Sequence, residues 1–214
     1  MSAELMLEST EPSLLIIEER SRKDIVIGVP HHAPAGKETL PCPEHKDSDE
    51  NAGFLGRYLA EKIGCCSIIA CNYTVDVNKF FRTDYTMQIA RWNPRVLVEI
   101  HGHGGKKVGS EIQISSGSSN NDRYSEALAR ELETVLSTSE DFNTIQIRGR
   151  YVDLDPCLRA SHSVTISDGR WLAYHIELPP QLRKPPSNTS GKPPQTGYQF
   201  CDVLAKVLEE IHGR

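Results

Sequence analysis

The residues of this 214-residue sequence that could do chemistry stand where apolar runs end. The clearest case is the run 96–100, which leads directly into His101-Gly-His103-Gly-Gly. A short β-branched run bounded by proline and glycine predicts a buried strand. Ligands bind outside the carboxyl ends of strands in open α/β sheets. We therefore expect a site here, although a glycine-rich turn that happens to hold histidines is the alternative.

Three further apolar runs end in the same way. His31 and His32 follow the second run, the polar segment 76–79 follows the third, and Glu177 closes the last, while the acidic pair 49–50 opens the first long helix. Two histidines and one carboxylate form a known zinc arrangement with an open coordination position. Such a metal activates water and polarises a carbonyl, and a separate carboxylate moves the proton. The pattern therefore predicts metal-dependent amide hydrolysis.

Hydrophobic periodicity predicts the elements that must position these residues. Apolar runs typical of strands occupy 14–17, 24–29, 66–71, 95–100, 111–115, 142–147 and 171–178. Amphipathic patterns typical of helices occupy 51–63, 83–92, 122–136 and 198–212. This alternation predicts an α/β fold, a three-layer α/β/α sandwich around a mostly parallel, mixed sheet. We expect an early hairpin between the first two runs and antiparallel pairing of the strand at 111–115.

Length and composition fit a single domain, with residues 1–11 as a loose tail and residues 181–197 as a surface loop or lid. A net charge of −5 without a basic block argues against nucleic-acid binding. No apolar run is long enough to span a membrane, and the N-terminus has no secretory pattern. Six cysteines without paired spacing predict a reduced, cytoplasmic protein. Nucleophile-elbow and phosphate-loop motifs are absent from the sequence.

The order of short motifs along the chain resembles the N-formylglutamate amidohydrolase family and, more distantly, the zinc carboxypeptidases. The pieces that carry this resemblance are Val29-Pro30-His31, Ser48-Asp49-Glu50, Val75-Asp76-Val77-Asn78-Lys79, Glu99-Ile100-His101 and His175-Ile176-Glu177-Leu178. They are spread over most of the chain, from residue 29 to residue 183. The resemblance implies a zinc carboxypeptidase-like hydrolase fold.

The resemblance also implies one zinc ion per chain, bound by His31, Asp49 and His101. His31 is preferred to His32 because the family's histidine directly follows the proline. Glu50 is the alternative to Asp49. Glu99, inside the central strand, is expected either to support a ligating histidine or to be an ordinary paired core acid.

Glu177 would act as the general base and acid, and Asn78 with Lys79 matches the position that binds a substrate carboxylate. Lys79 replaces the family's usual arginine, and a lysine cannot make a bidentate fork. The guanidinium that binds the substrate carboxylate could instead come from Arg82, Arg159 or Arg183. His103 is expected to orient the substrate or to belong to the turn.

The leading hypothesis is a zinc-dependent amidohydrolase that cleaves an N-acyl (N-formyl-type) amino acid or a related amide beside a carboxylate, such as a γ-glutamyl bond. Its substrate would be a small or peptide-like molecule. The alternative is a non-catalytic relative that binds a small acidic ligand or a protein partner in the same crevice.

Overall fold

The apolar runs become the strands of one mixed, eight-stranded sheet in a computed structural model, which describes residues 2–185 and 191–213. The strands are β1 (Leu14–Glu18), β2 (Arg22–Ala33), β3 (Asp49–Glu50), β4 (Cys65–Cys71), β5 (Val96–Gly102), β6 (Ile112–Ser115), β7 (Ile147–Arg148) and β8 (Leu172–Leu178). The α-helices in the described part are α1 (Ala3–Leu7), α2 (Ala52–Ile63), α3 (Asp84–Trp92), α4 (Asp122–Leu136), α5 (Pro180–Arg183) and α6 (Gln195–His212).

The sheet has the order β1-β4-β2-β5-β8-β6-β7, and the short β3 pairs with the end of β2. Strands β4, β2, β5 and β8 are parallel neighbours, so their carboxyl ends meet at one edge. The register sets His101 beside Glu177 and His32 beside Asp49. These pairings bring the predicted strand-end residues together.

Apolar side chains cover both faces of the sheet. On one face, Ile25, Ile27 and Val29 of β2 pack in a core with α2, α4 and α6. On the other face, Val26 and Leu97 pack with the buried residues of α3. The predicted α/β sandwich with a mostly parallel, mixed sheet is thereby confirmed.

The predicted early hairpin is wrong. β1 pairs antiparallel with β4, and β2 pairs in parallel with β4 and β5. The polar turn at 19–21 therefore connects strands that are separated in the sheet by β4. The predicted antiparallel strand at 111–115 is confirmed as β6, which pairs with β8. The strand predicted at 142–147 is reduced to β7, because residues 140–142 form a 3-10 turn instead.

The N-terminal stretch differs from the loose tail expected over residues 1–11. Ser2 caps α1 by accepting from the amide of Leu5, and Leu7 is buried in the main core. Of the predicted loop at 181–197, residues 186–190 lie outside the described residues, and its two sides belong partly to α5 and α6.

All six cysteines are free thiols. Across residues 2–185 and 191–213, no helix has the length and apolar character needed to cross a membrane.

Candidate metal centre and active site

His31, Asp49 and His101 meet at the carboxyl edge of the sheet. One donor atom from each lies within 4.8 Å of the others, and all three side chains are buried. Asp49 Oδ2 is 3.1 Å from His101 Nδ1 and 3.6 Å from His31 Nδ1. His31 Nδ1 and Asp49 Oδ2 have no hydrogen-bond partner. Buried polar atoms are normally satisfied, so this group suits a ligand that takes electron pairs.

A bulge in β2 decides which histidine joins the group. The pairing of β2 with β4 shifts register between Val29 and His32. Successive strand residues point to opposite faces, and a bulge changes which face a side chain takes. His32 therefore points to the α2 face, whereas His31 lies with Glu99 and His101 on the α3 face.

Each proposed histidine ligand has a second carboxylate near its far ring nitrogen. His31 Nε2 is 3.0 Å from Asp76 Oδ1, and His101 Nε2 is 3.5 Å from Glu99 Oε2. Metal-binding histidines are commonly held by such a carboxylate, which fixes the ring and increases its basicity. Both Nδ1 atoms are then directed toward Asp49, as a shared cation site requires.

Glu99 is held in turn by three neutral side chains. Tyr85 donates to Oε1 at 2.9 Å, Thr165 donates to Oε1 at 2.8 Å, and Asn78 donates to Oε2 at 3.3 Å. Gly28 leaves the space for this arrangement, because a Cβ there would lie 2.2 Å from the Tyr85 hydroxyl. The network supports a fully buried carboxylate that would otherwise be costly.

The group favours positive charge between its carboxylates. Burial opposes charge on His101, but the nearby carboxylates of Asp49 and Glu99 outweigh burial and raise the pKa of His101 to about 10. Burial likewise opposes charge on Asp49, yet the imidazoles of His101 and His31 beside it hold the pKa of Asp49 well below its usual range. A bound metal cation is one way to supply the positive charge that this environment stabilises.

Glu177 extends from β8 next to His101. His175, two residues earlier on the same face, lies with Nε2 2.9 Å from Glu177 Oε1, while Glu177 Oε2 has no partner. Burial would raise the pKa of Glu177, but the bond to His175 outweighs it and lowers that pKa. Glu177 is therefore an ionised carboxylate at neutral pH, with one oxygen available to accept a proton.

The two alternative ligands are engaged elsewhere. His32 Nδ1 accepts from the amide of Gly53, so Nε2 carries the proton and donates to the Leu7 carbonyl at 2.9 Å. The Glu50 carboxylate accepts from the amide of Gly36 and pairs with Lys184. Both side chains bind neighbouring segments of the chain through these contacts, and both lie outside the group formed around Asp49.

Two of the predicted substrate-binding residues lie in the segment between β4 and α3. Lys79 Nζ is 2.6 Å from Asp76 Oδ2 and is partly exposed. Asn78 is buried, donates to Glu99, and has an unpartnered Oδ1. Nearby, Arg82 is exposed and lines a surface cavity of about 390 Å³ with Tyr73 and other residues of the segment.

Three other predicted substrate-binding residues have internal partners. His103 Nδ1 accepts from the Gly105 amide and Nε2 donates to the Glu111 carbonyl at 2.7 Å, so both nitrogens belong to the turn. Arg159 donates to the carbonyls of Leu154 and Val152. Arg183 is almost fully buried and donates to three backbone carbonyls.

Sequence reasoning included Asp76 in the candidate segment 76–79 without giving it a role of its own, and it did not assign His45 to this site. The His45 ring stacks on His31 with centroids 3.9 Å apart, and His45 Nδ1 is 3.8 Å from Asp76 Oδ2. Asp76 had a signal, since it follows an apolar run like the other site residues. His45 had none, because it lies in the long polar loop before β3 and only the fold brings it to the site.

The buried His32 predicts a pH-dependent loss of stability. Burial lowers the pKa of His32 from an ordinary 6.5 to about 4. Between these values the unfolded chain binds more protons, so stability falls as pH falls. We expect His32 to account for a loss of about 2 kcal/mol between about pH 7.5 and pH 5. Urea unfolding of the wild type and His32→Gln at both pH values measures this difference. Equal pH dependence in the two proteins would contradict the assignment.

No family model and no curated protein matches the sequence. Solved structures do match its fold. An N-formylglutamate amidohydrolase from Ralstonia eutropha JMP134 aligns over 92% of this chain and 96% of its own, with a TM-score of 0.57 and 10% identity. A bacteriophage poly-gamma-glutamate hydrolase aligns over 99% and 95%, with a TM-score of 0.53 and 13% identity. A protein named YNDL, in a zinc-free form, aligns over 94% and 91%, with a TM-score of 0.53 and 10% identity. At these identities the likeness shows a shared fold, which confirms the resemblance at that level.

Proposed function

We propose that this chain is a zinc-dependent hydrolase that cleaves an amide bond close to a carboxylate, as in an N-acyl amino acid or a γ-glutamyl amide. The observation that carries the proposal is the convergence of His31, Asp49 and His101. Two of the potential metal-ligand atoms, His31 Nδ1 and Asp49 Oδ2, have no hydrogen-bond partner. Two imidazoles and one carboxylate are the ligand set of several catalytic zinc sites.

The residues present fit zinc chemically. Nitrogen and carboxylate ligands suit zinc, and carboxylates behind both histidines are the expected outer partners. Zinc held by three protein ligands keeps one position for water or substrate, where it lowers the pKa of water and polarises a carbonyl. A zinc-free form of a structural neighbour supports the choice of metal.

Glu177 is the proposed general base and acid. It is ionised, it lies beside the ligand His101, and its free Oε2 can take a proton from the attacking water. His175 holds the other oxygen and so restricts the orientation of the carboxylate. Returning the same proton to the leaving amine would complete the reaction.

Lys79 and Arg82 are the proposed carboxylate-binding cations. Both lie on the segment that also carries Asn78, and both are accessible to solvent. Arg159 and Arg183 are less suitable, because their guanidinium groups already donate to backbone carbonyls. The names of two structural neighbours specify glutamate-based substrates, which supports a carboxylate close to the bond that is cleaved.

A substrate panel tests the proposed reaction. Zinc-loaded protein is incubated with N-formyl, N-acetyl and γ-glutamyl amino acids and with the matching amides that lack the free carboxylate, and released amine is measured. Metal-dependent hydrolysis of at least one carboxylate substrate supports the proposal. Tight binding of these compounds by calorimetry without any turnover would favour the non-catalytic alternative.

Arg82→Gln tests the carboxylate site. The Arg82 side chain is exposed and has no structural role in the described part of the chain, so its replacement should leave stability unchanged. We expect KM for a carboxylate substrate to rise about tenfold, as for a lost charged hydrogen bond, with kcat nearly unchanged. The substrate analogue without the carboxylate is the control, and its KM should be the same for the wild type and the variant. An unchanged KM would remove Arg82 from the site.

A further inference from the structure

Arg183 is a buried cation directly behind the candidate site. Its side chain is among the largest fully buried ones, with 1% exposure. Its guanidinium is bonded to backbone carbonyls, with no carboxylate paired to it among the described residues. A buried charge of this kind is costly unless its donors are satisfied.

Each guanidinium nitrogen of Arg183 donates one hydrogen bond to the end of a different strand. Nη1 donates to the Glu50 carbonyl at 2.7 Å, and Nη2 donates to the His103 carbonyl at 3.0 Å. Nε donates to the Leu178 carbonyl at 3.2 Å. A planar guanidinium offers its donors in a fixed geometry, so these three carbonyls are held relative to one another.

Each of these carbonyls lies one or two residues beyond a proposed functional side chain. Glu50 follows Asp49, His103 comes two residues after His101, and Leu178 follows Glu177. The chain thus has one guanidinium connected to the ends of β3, β5 and β8 together. Of these pairs of strands, only β5 and β8 hydrogen-bond to each other through their backbones in the described sheet.

The absence of a side chain at Gly102 leaves room for this guanidinium. A Cβ at position 102 would lie 1.9 Å from Cζ of Arg183 and 2.1 Å from its Nε. No side chain other than hydrogen can therefore stand at this position while Arg183 keeps its place. The glycine follows His101 directly, so the requirement falls within the central motif of the sequence.

Asn51 fixes the other end of Arg183. Its amide donates to the Arg183 carbonyl at 3.0 Å and to the Gly191 carbonyl at 2.9 Å. Burial lowers the pKa of Arg183, and the nearby carboxylates of Asp49, Glu177 and Glu50 offset this only in part. Its backbone and its side chain are thus both tied to the segment that carries Asp49.

We infer that Arg183 is a positioning residue that sets the spacing between Asp49, His101 and Glu177 through its three backbone hydrogen bonds, with Gly102 as the position that makes room for it. This inference rests on the proposed function, since it assigns Arg183 a role in metal binding and turnover. It also replaces the earlier prediction that Arg183 binds substrate.

Arg183→Lys is the main test, because lysine keeps the charge and loses the three-way fork. We expect zinc affinity, measured by competition with a chelator, to fall about 10- to 100-fold, as for other outer partners of metal ligands. We expect kcat to fall with little change in KM. Gly102→Ala should have the same effects while leaving Arg183 in the chain.

Arg20→Lys is the matched control. Arg20 also donates to a backbone carbonyl, that of Cys65. This carbonyl lies at the start of β4, and therefore at the amino ends of the parallel strands, away from the site. The control variant should lose stability without losing zinc affinity. Circular dichroism and the melting temperature of the metal-free proteins confirm that each variant is folded. If Arg183→Lys does not fold, Gly102→Ala provides the decisive measurement.

The outcomes separate the two proposals. A wild-type protein that binds no zinc contradicts the proposed function itself and, with it, the inference. A wild type that binds zinc, together with folded Arg183→Lys and Gly102→Ala variants of unchanged affinity and kcat, overturns the inference alone. Reduced affinity and kcat in both variants but not in Arg20→Lys supports it.

Discussion

Replacing Glu177 by glutamine is expected to lower kcat by roughly 10²- to 10⁴-fold, the usual contribution of general acid–base catalysis. The amide has nearly the same shape and can still contact His175, which now lies 2.9 Å from the Glu177 carboxylate. It cannot accept a proton from water. Because Glu177 is outside the group around Asp49, the variant should bind metal as the wild type does.

Glu111→Gln is a suitable control for this experiment. Glu111 is a partly buried carboxylate near the same sheet edge, but it pairs with Arg148 and Gln113. Its replacement should leave kcat within a few-fold of the wild type. Full activity in Glu177→Gln would refute the assigned mechanism, and loss of metal in that variant would show that Glu177 is a ligand instead.

Replacing His101 by alanine is expected to remove the metal. His101 contributes one of three proposed ligands, and its loss leaves Asp49 with a single histidine neighbour in the group. The effect on affinity should exceed the ~10- to 100-fold typical of a lost outer partner. Metal content after dialysis against a weak chelator measures it, and hydrolysis should fall in parallel.

His103→Asn is the matched control for His101→Ala. It changes a buried histidine only two residues away, whose ring nitrogens serve the turn and not the metal group. We expect a lower melting temperature with metal content near that of the wild type. Equal metal loss in both variants would mean that His101 acts through the stability of the loop.

The sequence was informative wherever local patterns decide the structure. Apolar runs with polar ends located β5, β8 and the end of β2, and their parallel pairing then brought His31, His101 and Glu177 to one edge. Asp49 was expected just before the first long helix, and the structure has it in β3, which ends next to the N-cap of α2. These residues are now brought together by the fold, while their chemical roles stay predictions.

The sequence could not decide features that depend on distant parts of the chain. The bulge that turns His31 toward the site arises from the pairing of β2 with β4. The partner of β1 is likewise chosen by the apolar faces available in the sheet, so a short polar turn suggested a hairpin that does not form. The sequence predicted that Arg183 could bind a substrate carboxylate, and only the fold shows that three strand ends surround it.

The most direct test of the central claim is a crystal structure of the zinc-soaked protein with anomalous data collected at the zinc absorption edge. We expect one peak between His31 Nδ1, Asp49 Oδ2 and His101 Nδ1, at about 2.0–2.2 Å from each ligand atom. A peak beside His45 and Asp76 instead, or no peak near Asp49 in a well-ordered site, would contradict the proposed metal centre.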